Sequence, residues 1–257
     1  MNFENKQDRK QQAIIHTEEM SQKYKDEINH AIVTTKVYGP KDVEIRTSCK
    51  DINKTSYGVD NIDSVSAIFK YHKDDTKMAV LNFASYKKPG GGFINGSKAQ
   101  EECLCYESFL YNVLSEKNDF YEWNNHNINK LLYLNRGLYT ENVVFEHEGN
   151  TCTCDVITCA APNKSAAMRH FYVSKEKNTS ALTSRIKFLL DIAKDNHVET
   201  LILGGFGCGV FGQDATEVAT ICKNYLLNEY HCFSHVIFAI PDEKDGNYLK
   251  FCNVFDN

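Results

Sequence analysis

Two adjacent carboxylates, Glu101 and Glu102, follow a run of three glycines, Gly90-Gly91-Gly92, with Glu102 ten positions beyond Gly92. A carboxylate beside a sugar can stabilise positive charge at an anomeric carbon, and a carboxylic acid can protonate the departing oxygen. Neighbouring residues on a helix point about 100° apart. The pair therefore cannot stack on one spot, but it can flank a single sugar ring. Acids also gather in first helical turns for dipole reasons alone. The glycine run just upstream favours the chemical reading here. Crowding and burial would raise the pKa of such an acid and a helix N-terminus would lower it, and the sequence leaves that balance open.

The glycine run is bounded by Pro89 and lies between the apolar stretch Met78–Ser85 and a helical segment. Three residues without Cβ let a ligand approach the backbone closely. A second glycine-rich stretch, Gly204 to Gly212, follows the apolar run Thr200–Leu203 and precedes another helix. Its N–H groups suit a phosphate. No Lys-Ser or Lys-Thr follows Gly212, so it is not a Walker loop. Gly207-x-Gly209-x-x-Gly212 matches the dinucleotide fingerprint in letters but lies near the C-terminus, where that motif belongs on a first strand. Two glycine loops together suit a diphosphate gripped from both sides.

The elements that position these loops alternate. Residues 5–36 lack glycine and proline, and Ala13, Ile14, Met20, Tyr24 and Ile28 recur at near-helical spacing, which predicts one or two surface-packed helices. Strands are predicted at Val43–Thr47, Val65–Tyr71 and Met78–Ala84 from β-branched and aromatic content. A helix is expected over Ala99–Lys117 on the stripe Cys103, Tyr106, Leu110, Val113 and Leu114, while residues 120–135 are polar and unassigned. Further strands are expected at Val143–His147, Asp155–Cys159, Thr200–Leu203 and His235–Ile240, with helices at Ser180–Lys194 and Asp214–Asn228. Alternation of this kind implies a parallel or mixed sheet covered by helices. With 257 residues, no internal repeat and only four prolines, one domain is expected.

A composition of 42% hydrophobic and 25% charged residues is that of an ordinary globular chain. No apolar stretch approaches a membrane span, and the N-terminal residues read as neither a signal nor a transit peptide. A cytoplasmic address is expected, or a nuclear one in a eukaryote. The net charge of −5 argues against duplex DNA as the main partner. Ten cysteines lack the paired spacing of a zinc site and read as small apolar core residues. His147, His170, His197 and His235 lie on separate segments without ligand spacing. No metal and no cofactor are expected, and the chain is expected to be a monomer.

The stretch Gly90 to Glu102, GGGFINGSKAQEE, resembles the GGG…QEE signature of poly(ADP-ribose) glycohydrolases, and the whole is similar to the compact microbial type of that family. Val80–Ser85, Val156–Asn163 and Gly204–Gly212 support the likeness in the same order, from about Ala13 to Phe251. The resemblance implies a macrodomain-like three-layer α/β/α fold with a mixed central sheet, preceded by an added N-terminal helical segment over about residues 1–36. It implies hydrolysis of ribose–ribose bonds, mainly from polymer ends. By that likeness Glu102 is the general acid and then the base that activates water, Glu101 positions the scissile ribose, and Gln100 supports the loop. Gly90, Gly91 and Gly92 would approach the terminal ribose and a phosphate, and Asn82 would contact that ribose. Gly207, Cys208, Gly209 and Val210 would offer N–H groups to the diphosphate, and Phe211 would pack on a ribose or the adenine. Partners would be poly(ADP-ribose), ADP-ribose and ADP-ribosylated proteins. After Gly212 this chain reads Gln213-Asp214-Ala215 where relatives often carry Asn-Pro, a change expected to alter loop stiffness.

Three other readings compete. A binding module that holds ADP-ribose without cutting it would not need the Gln100-Glu101-Glu102 triplet. A hydrolase of single ADP-ribose on protein or nucleic acid would keep the fold and act on mono-modified substrate. A dehydrogenase would rest on the fingerprint match alone and require hydride transfer.

Overall fold

The computed structural model describes residues 5–42, 55–242 and 244–256. The strand expected at Val43–Thr47 lies outside them. Seven strands form one sheet in the order β1-β4-β5-β3-β6-β7-β2. They are β1 (Lys36–Tyr38), β2 (Ser56–Asp60), β3 (Met78–Phe83), β4 (Gly137–His147), β5 (Asn150–Cys159), β6 (Thr200–Leu203) and β7 (His235–Ala239). The neighbours from β5 through β3, β6 and β7 to β2 are parallel, whereas β4 runs antiparallel to both β1 and β5. The sheet is mixed, as anticipated.

Alternate residues of each central strand supply opposite faces, and each face carries a core. On one side Ala79 and Leu81 of β3 pack with the helices α8 (Lys175–Asp195), α9 (Ala215–Asn228) and α10 (Asn247–Phe255). On the other, Met78 and Val80 pack with the helices α1 (Lys6–Lys23), α2 (Lys25–Thr34), α3 (Ser64–Tyr71), α4 (Gln100–Tyr106), α5 (Leu110–Leu114) and α6 (Asn118–His126). The result is a three-layer α/β/α arrangement. A last helix, α7 (Lys164–Phe171), follows β5.

Three expectations are corrected. Val65–Tyr71 belongs to the helix α3 and is not a strand. Asp63 caps it by accepting from Ser66 N at 2.9 Å, and this start signal outweighs the β-branched content. The helix expected over Ala99–Lys117 is two helices. Between them Glu107 O accepts from Glu146 N at 2.8 Å and Ser108 bridges to Phe145, so β4 draws that stretch out of the helical path. In the N-terminal stripe Ala13, Met20 and Ile28 are buried, but Ile14 is 45% exposed. The polar stretch over 120–135 holds most of α6 and a left-handed turn.

The N-terminal helices brace the first glycine loop. Arg9 Nε donates to Gly96 O at 2.8 Å, and Tyr106 Oη donates to Arg9 O. Asn112 Nδ2 donates to Thr17 O at 2.9 Å. Among the described residues no helix is long and apolar enough to cross a membrane.

Candidate active site

The carboxylate pair opens α4, where Glu101 and Glu102 occupy the first turn. Both are buried, at 4% and 7% exposure. Glu102 accepts from Gly92 N at 2.7 Å through Oε1 and from Ala99 N at 2.8 Å through Oε2. Ala99 is the N-cap residue, so the second contact is half of a capping box: the Glu side chain reaches back to the cap N–H, while alanine has no oxygen to return the bond. Glu101 accepts from Ser85 N at 2.7 Å and from Asn82 Nδ2 at 3.3 Å. Burial drives the Glu101 carboxyl up to about 8, against the Ser85 N–H and Asn82, and the charge of Glu102 adds to the rise. At neutral pH Glu101 therefore holds its proton.

The first glycine loop is shaped to these acids. Gly90 and Gly91 have φ of 60° and 59°, in the left-handed region that glycine enters freely. A Cβ on Gly91 would stand 2.7 Å from Glu102 Oε1 and 2.8 Å from Glu101 Oε2. The adjacent side chains thus converge on one glycine, although their helical positions diverge.

Gln100 ties this turn to the sheet. The ladder between β3 and β6 ends at Val80. Just beyond it, Gln100 Nε2 donates to Leu81 O at 2.8 Å and Gln100 Oε1 accepts from Phe83 N at 2.8 Å. Those are the two bonds that a residue opposite Asn82 on a parallel neighbour would make. The side-chain amide stands in for a strand, and it fixes Asn82 beside the acids. Asn82 is fully buried, donates to Thr158 Oγ1 at 3.3 Å as well as to Glu101, and leaves its Oδ1 without a partner among the described residues.

The second glycine loop connects β6 to α9. Gly207 has φ of 77°, and a Cβ there would meet Ala161 Cβ at 2.8 Å and Gln213 Cγ at 2.9 Å. The N–H of Cys208 is spent within the loop on Gly205 O at 2.9 Å. Among the described residues the N–H groups of Gly209, Val210 and Phe211 meet no backbone acceptor. Val210 is 90% exposed. Phe211 packs towards Tyr133, whose ring stacks on Tyr86 at 4.1 Å.

A cavity of about 730 Å³ lies at the C-terminal ends of the parallel strands, within the range of small-ligand sites and at the sheet end where such sites are found in open α/β folds. Of the residues singled out from sequence, Gln100, Gly207, Gly209, Val210 and Phe211 line it. Glu101, Glu102, Asn82, Gly90 to Gly92 and Cys208 do not; the acids adjoin it through Ala99, Gln100 and Cys103 of its wall. The wall also brings in Asp63, Phe83 and Asn247, which the sequence reading missed. Asp63 carried a signal as the N-cap of α3, and Asp245-Gly246 before Asn247 marks a turn at a helix start. Phe83 carried no signal beyond its place at a strand end.

Residues 4–147 match the family model of the microbial-type poly(ADP-ribose) glycohydrolase (PARG) catalytic domain. Among solved structures, the chain is similar to the glycohydrolase of Thermomonospora curvata, with 26% identity, 97% of this chain and 100% of that one covered, and a TM-score of 0.87. A structure of that enzyme bound to the inhibitor ADP-HPD aligns over 96% of this chain and 99% of that one, with 26% identity and a TM-score of 0.83. The Deinococcus radiodurans glycohydrolase in complex with ADP-ribose aligns over 89% and 97%, with 27% identity and a TM-score of 0.81. No curated protein sequence matches. With more than half of its length matched by the family model, this chain belongs to the microbial-type poly(ADP-ribose) glycohydrolases, which hydrolyse the glycosidic bonds between the ribose units of that polymer.

Proposed function

We propose that the chain works mainly from polymer ends, releasing ADP-ribose, as one catalytic domain over residues 1–257 in which Glu102 acts as general acid and then as general base. The observation that carries this reading is the convergence of Glu101 and Glu102 on Gly91 beside the cavity. A terminal ADP-ribose unit lies with its diphosphate against Gly207, Gly209 and Val210, whose loop is short of internal acceptors, and with Phe211 against a ribose or the adenine. The scissile ribose lies at Gly90 to Gly92, with Asn82 and Glu101 holding it. Cys208 contributes to the loop's shape, its N–H being turned to Gly205 O.

Cleavage builds positive charge at the anomeric carbon as the bond to the departing ribose oxygen lengthens. Glu102, which takes up a proton before the step, gives it to that oxygen, and the resulting carboxylate faces the oxocarbenium-like centre. It then takes a proton from water as the water oxygen adds to the same carbon, which restores the acid. Glu101, neutral at pH 7 through burial, brings no second negative charge and is free to donate a hydrogen bond to a ribose oxygen. The Gly92 and Ala99 N–H groups aim Glu102 and hold it in one rotamer.

The test is release of ADP-ribose from purified poly(ADP-ribose) by wild type and by Glu102→Gln, with ADP-ribose binding measured by calorimetry. Cleavage by wild type and binding without cleavage by the variant are expected. Wild type that binds ADP-ribose but leaves polymer intact would instead be a binding module or a hydrolase of single ADP-ribose marks, and mono-modified protein separates those two.

A further inference from the structure

Next to the second glycine loop, two stretches of backbone are left-handed in residues other than glycine. Asn129, Lys130, Leu131 and Tyr133 have φ of 42°, 53°, 66° and 61°, and Tyr172, at the end of α7, has φ of 50°. Side chains with a Cβ disfavour this region, and strain of this kind gathers at sites where backbone is held in a working shape. The two stretches share a groove of about 200 Å³ whose walls include Asn129, Lys130, Leu132, Phe171, Tyr172 and Lys177. The turn is anchored from within. Buried Arg185 donates to Asn135 Oδ1 at 2.8 Å and to Ala160 O, and Asn163 N donates to Leu131 O at 3.0 Å. Leu131 packs both on the aromatic group that includes Phe211 and on the group of Leu132, Ala167 and Val173. The groove therefore adjoins the Phe211 side of the cavity.

Its surface is unusual for a protein of net charge −5. Between Lys164 and Lys177 stand four cations, Lys164, Arg169, Lys175 and Lys177, with Glu176 as the one acid. Among the described residues none of these four, nor Lys130, forms an ion pair. Tyr172 is 91% exposed and Phe171 is 41% exposed, so the fold spends two aromatic rings on solvent beside unpaired lysines. Aromatic faces beside a cationic track fit a strand of alternating bases and phosphates.

We propose that this groove holds the second ADP-ribose unit of a bound polymer, with its adenine on Phe171 and Tyr172 and its diphosphate between Lys130 and Lys177. The inference rests on the polymer being the substrate, as argued above. The group that departs when the terminal unit is cut is itself an adenosine ribose with a base and a diphosphate attached, so the chemistry of the groove matches the chemistry of the leaving side.

The experiment compares Glu102→Gln with the same chain carrying Lys130→Ser, Lys177→Ser and Tyr172→Ser, three exposed positions away from the acids. Binding of end-labelled poly(ADP-ribose) is read by anisotropy across a salt series, and monomeric ADP-ribose by calorimetry. Polymer affinity is expected to fall about tenfold or more, and its log–log salt slope to flatten by about 1.4, roughly 0.7 for each lost cation, with monomer affinity unchanged. Unchanged polymer affinity and salt slope would overturn the proposal. So would a loss confined to ADP-ribosylated protein, which would give the surface to the modified acceptor. A concentration-dependent dimer abolished by the substitutions, with polymer binding intact, would give it to a second copy of the chain. Failure of the parent reading appears separately, as wild type that releases no ADP-ribose from polymer, and leaves the binding comparison readable.

Discussion

Gly91 lies so close to Glu102 that a β-carbon on it would stand 2.7 Å from the Oε1 atom of that carboxylate. The same carbon would stand 2.8 Å from Glu101 Oε2. Gly91→Ala therefore carries two penalties. The left-handed φ of 59° costs about 1–2 kcal/mol with a Cβ present, and both acids must move. A displacement of about 1 Å in a positioned group costs on the order of 100-fold in rate. We expect kcat on poly(ADP-ribose) to fall by about that factor while the chain still folds, as read by circular dichroism. Wild-type kcat in the alanine variant would mean that the loop does not set the carboxylate geometry.

Glu102→Gln separates chemistry from support. The amide oxygen can still accept from Gly92 N or Ala99 N, so the α4 start keeps one of its two contacts. The amide cannot deliver a proton to a departing oxygen. General acid catalysis contributes typically 10²–10⁴-fold, and an amide also loses the charge that faces the oxocarbenium-like centre. The expected result is a fall in kcat of about 10³-fold or more with ADP-ribose affinity kept within a few fold. A loss of affinity that matches the loss of rate would make Glu102 a binding group.

How much of this was legible beforehand varied by element for physical reasons. β6 was read to the residue, because Thr200–Leu203 is an apolar run closed by a glycine loop, and both signals are local. The Glu101–Glu102 pair and both glycine loops were visible because their residue types are themselves the signal. β2 was not, since Ser56–Asp60 is a half-exposed edge strand whose pairing with β7 is decided by tertiary contact. The left-handed turn at Asn129–Leu131 gave only an asparagine as a hint, because Lys130 and Leu131 avoid that conformation unless packing enforces it. The role of Gln100 as a stand-in for a strand residue was equally hidden. It depends on where the β3–β6 ladder stops, which no spacing in the sequence encodes.

That role makes Gln100 a stability residue as well as a neighbour of the acids. Gln100→Leu keeps the volume and leaves Leu81 O and Phe83 N without the partners they have at 2.8 Å each. A buried polar group left unpaired costs about 1–3 kcal/mol, and 1 kcal/mol shifts Tm by about 2–4 °C in a chain of this size. Calorimetry should show a Tm lowered by about 5–15 °C for Gln100→Leu. Gln100→Glu, which still accepts from Phe83 N, should fall between that variant and wild type. Equal melting temperatures in all three would remove the pseudo-strand interpretation.

The remaining test follows from the proton on Glu101. Its carboxyl is raised from an ordinary 4.5 to about 8 by burial, with Glu102 adding to the shift. In the unfolded chain the same group ionises near 4.5, so between about pH 4.5 and 8 the folded state binds more protons than the unfolded one. Stability then falls with rising pH across that window. Below it the group contributes no such cost, and above about 8 the cost is complete. Glu101→Gln removes the titration and keeps an oxygen for Ser85 N. We expect the variant to gain Tm over wild type at pH 8 and to lose that advantage at pH 4.5, a difference that other carboxylates, present in both chains, cannot produce. Its ADP-ribose affinity at pH 7 should stay within a few fold of wild type, because an amide imitates the neutral acid. Parallel Tm–pH curves for the two proteins would mean that Glu101 is ionised in the folded state, and the ribose-holding role would then have to be assigned to a carboxylate anion.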